Sequence, residues 1–192
     1  NLLAQIEPYI HDGLMISSNT SGLSIAELAR DRTSAFRRCF FGVHFFNPPR
    51  YMHLVELIPG ADTEPELLEV MHDFLANELG KGVVRGRDTP NFIGNRLWIF
   101  AACDMLQRMQ RFALTVAEVD VLTGPLMGRP KSGTLRVCDI VGLDTVAHVA
   151  HTSYTGLEQD PWRDEFILPA FYGRMLQEEL LGAKGNAGFY RK

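Results

Sequence analysis

At 192 residues the chain can hold one large domain or two small ones around a sizeable core, and its 46% hydrophobic and 22% charged residues are ordinary for a globular protein. A net charge of -4 argues against a nucleic-acid surface, though it leaves room for a local basic pocket for a phosphorylated ligand. No apolar run approaches a membrane span, and Cys39, Cys103 and Cys138 are widely separated and odd in number, so they read as reduced core residues of a cytosolic-type protein rather than a disulfide frame or zinc site.

Asn1 to Tyr9 reads as the last turns of a helix whose start is missing, and there is no initiator Met. Leu14 to Ser17 reads as a short strand, with Ser18 to Ser21 as the loop at its carboxyl end, where ligands sit in open α/β sheets. Ser24-Ile-Ala-Glu27 fits a capping box and opens a brief helix to about Asp31. Arg37 to Phe46 is uniformly apolar enough at its end for an interior strand, Pro48 and Pro49 force a turn, and Met52 to Ile58 is a second apolar strand. Thr63-Glu-Pro-Glu66 fits another capping box, and Leu67, Leu68, Met71, Phe74, Leu75 and Leu79 recur at helical spacing until Gly80. A weak last strand lies around Val83-Val84.

The character changes at Asp88-Thr-Pro90, which places a domain boundary between 1–88 and 89–192. Phe92 to about Phe112 reads as one long helix, apolar on most of its circumference and so wrapped by other helices, from its own chain or a partner's. Thr115-Val-Ala-Glu118 is a third capping box, Asp139 to about Ser153 is expected to be helical despite Gly142, and Pro169 to Leu181 is a final helix stopped by Gly182. Gly128-Arg-Pro-Lys-Ser-Gly-Thr134 lacks the spacing of a phosphate loop, and His148 and His151 lack a third ligand for a metal.

Within Gly42 to Ile58, His44 and Glu56 lie on the two apolar runs either side of the double proline. If the second strand folds back beside the first, the two side chains meet. A carboxylate on one imidazole nitrogen fixes the tautomer and raises the basicity of the other, which makes a general base with its orienter. A histidine in an apolar strand is also a common satisfied core residue, and the spacing alone leaves both roles open.

Gly42-Val-His-Phe-Phe-Asn-Pro48, Leu54-Val-Glu56 and Asp88-Thr-Pro-Asn-Phe-Ile-Gly-Asn-Arg-Leu97 resemble the (S)-3-hydroxyacyl-CoA dehydrogenase family, as do Ser18-Asn-Thr-Ser21 and Gly182-Ala-Lys-Gly-Asn-Ala-Gly-Phe-Tyr190. The motifs occur in the family's order across nearly the whole chain. The resemblance implies the C-terminal half of a Rossmann-type doubly wound α/β sheet, followed by an all-α helical domain like the C-terminal domain of 6-phosphogluconate dehydrogenase. It implies NAD as cofactor and an acyl-CoA substrate, oxidised at carbon 3 in fatty-acid β-oxidation. A homodimer through the helical domain and a bacterial cytoplasmic location belong to the same expectation, with no nucleic-acid, membrane or metal partner.

By the same resemblance His44 is the base, Glu56 its carboxylate partner, Asn95 the amide near the substrate oxygen, and Ser21 the serine touching substrate and nicotinamide. Asn19 and Asn47 fall where the nicotinamide end should lie, and Lys184 is associated with the cofactor. Each has a plainer role open to it: Asn95 as a helix-start residue, Ser21, Asn19 and Asn47 as turn residues, Lys184 as a solvated cation. Asn91 stands where glycine is common, and Gly185-Asn186-Ala187 departs from the usual terminal pattern. The family's Gly-x-Gly-x-x-Gly loop is absent, so the chain reads as a piece of a longer protein lacking the glycine-rich NAD-binding half and inactive alone, similar to the dehydrogenase part of bacterial proteins that also carry an enoyl-CoA hydratase. A dehydrogenase of a free hydroxy acid, like gulonate dehydrogenase or lambda-crystallin, and a non-catalytic dimerisation module are the alternatives.

Overall fold

Two apolar strands that must bury both faces need layers on either side, and the first of the chain's two units supplies them. A computed structural model describes residues 2–129, 132–185 and 187–191; readings that fall on Asn1, Pro130, Lys131 and Asn186 lie outside the described residues. Backbone contacts divide the chain into Asn1–Ile93 and Gly94–Lys192.

In the first unit, helix α1 (Leu2–Ile6) runs into a 3-10 turn and is followed by strand β1 (Ile16–Ser18), α2 (Ile25–Ala29), α3 (Ser34–Cys39), β2 (Phe40–Phe45), β3 (Leu54–Pro59), α4 (Pro65–Asp73) and β4 (Gly82–Arg85). The sheet order is β1-β2-β3-β4, with β1 parallel to β2, β2 antiparallel to β3, and β3 parallel to β4. Alternate residues of β2 and β3 go to opposite faces. Phe40 and Ile58 join Ile25, Ala29, Phe36 and Phe92 on one face, while Phe41, Val43, Val55 and Leu57 join Leu68 and Leu75 on the other. Both faces are therefore covered, which is why neither strand shows polar alternation.

Four local readings are corrected. Arg37–Cys39 is helical, because Thr33 caps α3 by accepting the Phe36 amide and Phe36, Cys39 and Phe40 are buried at helical spacing. The first strand begins at Ile16 and the third at Leu54. Thr63 is no cap: its hydroxyl accepts from the Gly60 amide at 2.8 Å and donates to the Phe40 carbonyl at 2.7 Å, leaving Glu64 at the start of α4. That helix ends in a π-helical turn at Phe74–Glu78 before left-handed Gly80.

The second unit is helical: α5 (Gly94–Arg111), α6 (Val116–Thr123), α7 (Thr134–Val141), α8 (Leu143–Gly156) and α9 (Ala170–Gln177), with 3-10 turns at Pro125–Met127, Arg163–Phe166 and Gly182–Lys184. Its core gathers Ile99, Ala102, Cys103 and Leu106 of α5 with Val119, Leu135, Cys138, Leu143, Val146, Ala150, Phe166 and Tyr172. The capping box of Thr115 and Glu118 is present in both directions. Within this chain helix α5 buries the stripe Ile99, Ala102, Cys103 and Leu106 and leaves Leu97 65% exposed. It also starts later than the periodicity predicts, because Asn91 and Phe92 take φ of 61° and 49°. Gly142, at φ 99°, breaks the predicted 139–153 helix into α7 and α8, and left-handed Glu179 ends the last helix region early. Among the described residues no helix is long and apolar enough to cross a membrane.

Candidate active site

His44 and Glu56 are direct partners in the antiparallel register of β2 and β3, so both side chains leave the sheet on the same face. The expected fold-back brings His44 Nδ1 to 2.6 Å from Glu56 Oε2. His44 is 3% exposed and Glu56 0%. A carboxylate so deeply buried needs hydrogen bonds on both oxygens, and the Ile93 amide donates to Oε1 at 2.8 Å. With Glu56 ionised, Nδ1 of His44 carries the proton and Nε2 presents its lone pair, a tautomer assigned from this geometry. Nε2 has no hydrogen-bond partner among the described residues. The imidazole packs against Phe46, at 4.6 Å between ring centroids, and Phe92, at 5.7 Å, which hold it in one orientation.

The surrounding loops are fastened to this end of the sheet. Asn19, just past β1, accepts the Phe45 amide on Oδ1 at 2.9 Å. Ser21 lies exposed in the same loop. Asn47 is exposed in the turn after β2, and Lys81 holds that turn by donating to the carbonyls of Pro49 and Met52. The loop's return is set by the Gly82 amide on the His53 carbonyl at 2.9 Å.

Asp88 fastens the helix that follows this loop, a role the spacing of the sequence does not announce. Its carboxylate accepts from the Ser24 hydroxyl at 2.7 Å, the Ile25 amide at 2.9 Å and the Ala26 amide at 2.8 Å. Ser24 does cap Glu27's amide, but Glu27 pairs with Arg30 and the other orphan amides of α2 go to Asp88. Nothing in local spacing announces a partner more than sixty residues away. Ile93, acting through its backbone, was invisible for the same reason.

Asn95 and Lys184 belong to the second unit. Asn95 occupies the first turn of α5 and is half-buried. Lys184 donates to Asp144 Oδ1 at 3.0 Å and to the Thr145 hydroxyl at 2.6 Å, and this ammonium group holds the Asp144 carboxyl below its ordinary range. The terminal segment carrying Lys184 is anchored by buried Asp139, which accepts the amides of Phe189 and Tyr190, both at 2.9 Å.

Known proteins match this chain in both of its units. Residues 1–89 match the family model of the 3-hydroxyacyl-CoA dehydrogenase NAD binding domain, and residues 92–192 match that of the 3-hydroxyacyl-CoA dehydrogenase C-terminal domain. A Bacillus subtilis protein named "Probable 3-hydroxyacyl-CoA dehydrogenase" is 45% identical over all of this chain and 24% of its own length. A Deinococcus radiodurans protein of the same name is 40% identical over all of this chain and 55% of its own. The crystal structure of M. tuberculosis FadB2 superposes with a TM-score of 0.87 at 29% identity, covering 100% of this chain and 65% of that one. The chain thus spans from about a quarter to just over half of these two curated relatives. The match of 1–89 to the NAD binding domain agrees with the expectation that the first unit is part of a Rossmann-type cofactor domain.

Proposed function

Since this chain belongs to the 3-hydroxyacyl-CoA dehydrogenase family, we propose that it serves the NAD-dependent oxidation of an (S)-3-hydroxyacyl-CoA to the 3-ketoacyl-CoA in fatty-acid β-oxidation. The observation that carries this reading is the buried 2.6 Å contact between His44 and Glu56. Nε2 of His44 takes the proton of the substrate's 3-hydroxyl, and Glu56 keeps the ring in the tautomer that can accept it. Bound NAD would supply the acceptor for the hydride of carbon 3. In the reverse direction the imidazolium returns the proton to the 3-keto oxygen.

The groups at the carboxyl ends of parallel β1 and β2 suit a nicotinamide: exposed Asn19, Ser21 and Asn47 offer amide and hydroxyl groups beside the base. Ser21 and Asn95 are assigned to the substrate, and Lys184 to the cofactor, by the family resemblance; for Lys184 the pairing with Asp144 has to open or to hold the loop in shape. On this reading 1–88 form the cofactor-side domain and 89–192 the substrate and dimerisation domain. A cytoplasmic location is part of the proposal, supported by three buried free thiols.

The test is His44→Gln in the protein carrying this chain, assayed by NADH consumption with acetoacetyl-CoA. The expected result is a kcat lowered roughly 100- to 10,000-fold with KM little changed. An unaltered kcat rejects the base, and turnover of free hydroxy acids in preference to CoA thioesters rejects the substrate class. Homodimerisation is proposed on the exposed Phe112, Val121, Leu122, Leu126 and Met127 of the helical unit. Val121→Asp should convert a dimer to a monomer in sedimentation, and a monomer before the change removes the idea.

A further inference from the structure

The second oxygen of Glu56 depends on a backbone that does something unusual. Ile93 donates its amide to Oε1 at 2.8 Å, the oxygen that His44 does not use. To bring that amide under the sheet the chain reverses through two consecutive left-handed residues, neither of them glycine, Asn91 at φ 61° and Phe92 at φ 49°. Both are 2% exposed. The reversal closes with the Phe92 amide on the Thr89 carbonyl at 3.0 Å. Asn91 Oδ1 lies 3.0 Å from where a Cβ on Gly22 would stand, so its side chain sits against the loop that carries Ser21. Upstream, Asp88 ties the segment's other end to the start of α2.

Asparagine is among the few residues besides glycine that tolerate left-handed backbone, because its short amide bonds locally. We propose that Asn91 is a positioning residue for the His44–Glu56 pair: its left-handed backbone turns the Ile93 N–H onto Glu56 and thereby fixes the carboxylate that orients the imidazole. Fixing both oxygens removes the carboxylate's freedom to swing, so Oε2 stays in line with Nδ1. Phe92, carried on the same reversal, walls the ring. The proposal rests on the reading of His44 as the base, yet its test needs neither substrate nor cofactor.

The probe is nitrogen-15 imidazole NMR of the 192-residue chain, read at the His44 Nδ1 proton, with a denaturant melt as control. Asn91→Gly keeps left-handed backbone available and should leave the downfield Nδ1–H signal where it is. Asn91→Ala penalises that backbone and should move the signal upfield or broaden it away while the chain stays folded. Ala without effect overturns the proposal, and so does Gly acting as strongly as Ala, because the side chain would then matter and the turn would not. If the Ala variant does not fold, the Ile93 amide of the unsubstituted chain decides: exchange slowed by about 100-fold or more supports the bond to Glu56, and exchange at the unprotected rate overturns it. An unaltered kcat in His44→Gln rejects the base assignment alone, whereas an Nδ1–H signal of the otherwise unsubstituted His44 that ignores Asn91→Ala rejects this proposal alone.

Discussion

Asn19 and Phe45 are joined by one hydrogen bond of 2.9 Å, from the Phe45 amide to Asn19 Oδ1, one residue beyond the imidazole. The bond extends the parallel pairing of β1 and β2 past Ser18↔Gly42, where the backbone ladder stops. Asn19 is thus a fastener of the strand carrying His44 whatever else its amide touches. Asn19→Ala should cost about 0.5–1.5 kcal/mol in urea unfolding, the usual net worth of such a bond. Asn19→Asp retains the acceptor and should cost less; equal losses for the two would mean that the bond contributes nothing.

Glu56→Gln tests the tautomer. The substituted amide still accepts from Ile93, but its NH2 group then faces His44, which has to answer with an unprotonated Nδ1 and a protonated Nε2. The expected outcome is a switch from Nδ1–H to Nε2–H in imidazole NMR, with a stability loss of about 1–3 kcal/mol if Gln fails to satisfy the site. Retention of Nδ1–H would show that Glu56 does not choose the tautomer.

The strand pair and its partnered side chains were legible because an antiparallel fold-back around Pro48 and Pro49 needs only local chain geometry, and register then follows from the pleat. The capping box at Thr115 was legible for the same reason, its two partners being three residues apart. What escaped were bonds across long separations. Thr63 looked like a cap and bridges Gly60 to Phe40, and Ser24 is completed by Asp88. The late start of α5 after left-handed Phe92, and the break at Gly142 within the expected 139–153 helix, override the apolar periodicity of those stretches.

Two glycines of the helical unit should respond in opposite directions. Gly182 has φ 78°, and a Cβ there would meet the Asp139 carbonyl oxygen at 2.5 Å. Gly182→Ala should therefore destabilise by roughly 2 kcal/mol or more, combining left-handed strain with the clash. Gly173 lies inside α9 with nothing within 4 Å of a built Cβ. Gly173→Ala should stabilise by about 0.5–1 kcal/mol through helix propensity. Thermal melts of both variants give the comparison, and a shift of the same sign in both would contradict this packing.

Cys103 and Cys138 are buried in the helical core, and burial pushes each thiol up to about 12, helped at Cys103 by Glu165 and at Cys138 by Cys103. At pH 8 the thiolate fraction is then roughly one in ten thousand, and alkylation requires that form. Iodoacetamide at pH 8 should leave both unlabelled in the folded chain and label both in denaturant, as read by mass spectrometry. Rapid labelling of either in the folded chain would place it outside the core.

Asp160 gives the helical unit an acid-sensitive fastening. Its carboxylate accepts the Trp162 amide at 2.9 Å and pairs with Arg96, the residue after Asn95 in the first turn of α5. The Trp162 amide first, and then the Arg96 guanidinium, hold its pKa below the ordinary aspartate value against the opposing effect of burial. A carboxylate depressed in the fold favours the folded state wherever it is ionised in the unfolded chain, that is, above about pH 3.9. This contribution fades as the pH falls below that point and is gone once the folded value has been passed. Asp160→Asn, which cannot titrate, should melt lower than the unsubstituted chain at pH 7, and the gap should narrow as the pH is taken from about 4 downward. A gap that stays constant or widens toward low pH would mean that Asp160 is not held ionised by these partners.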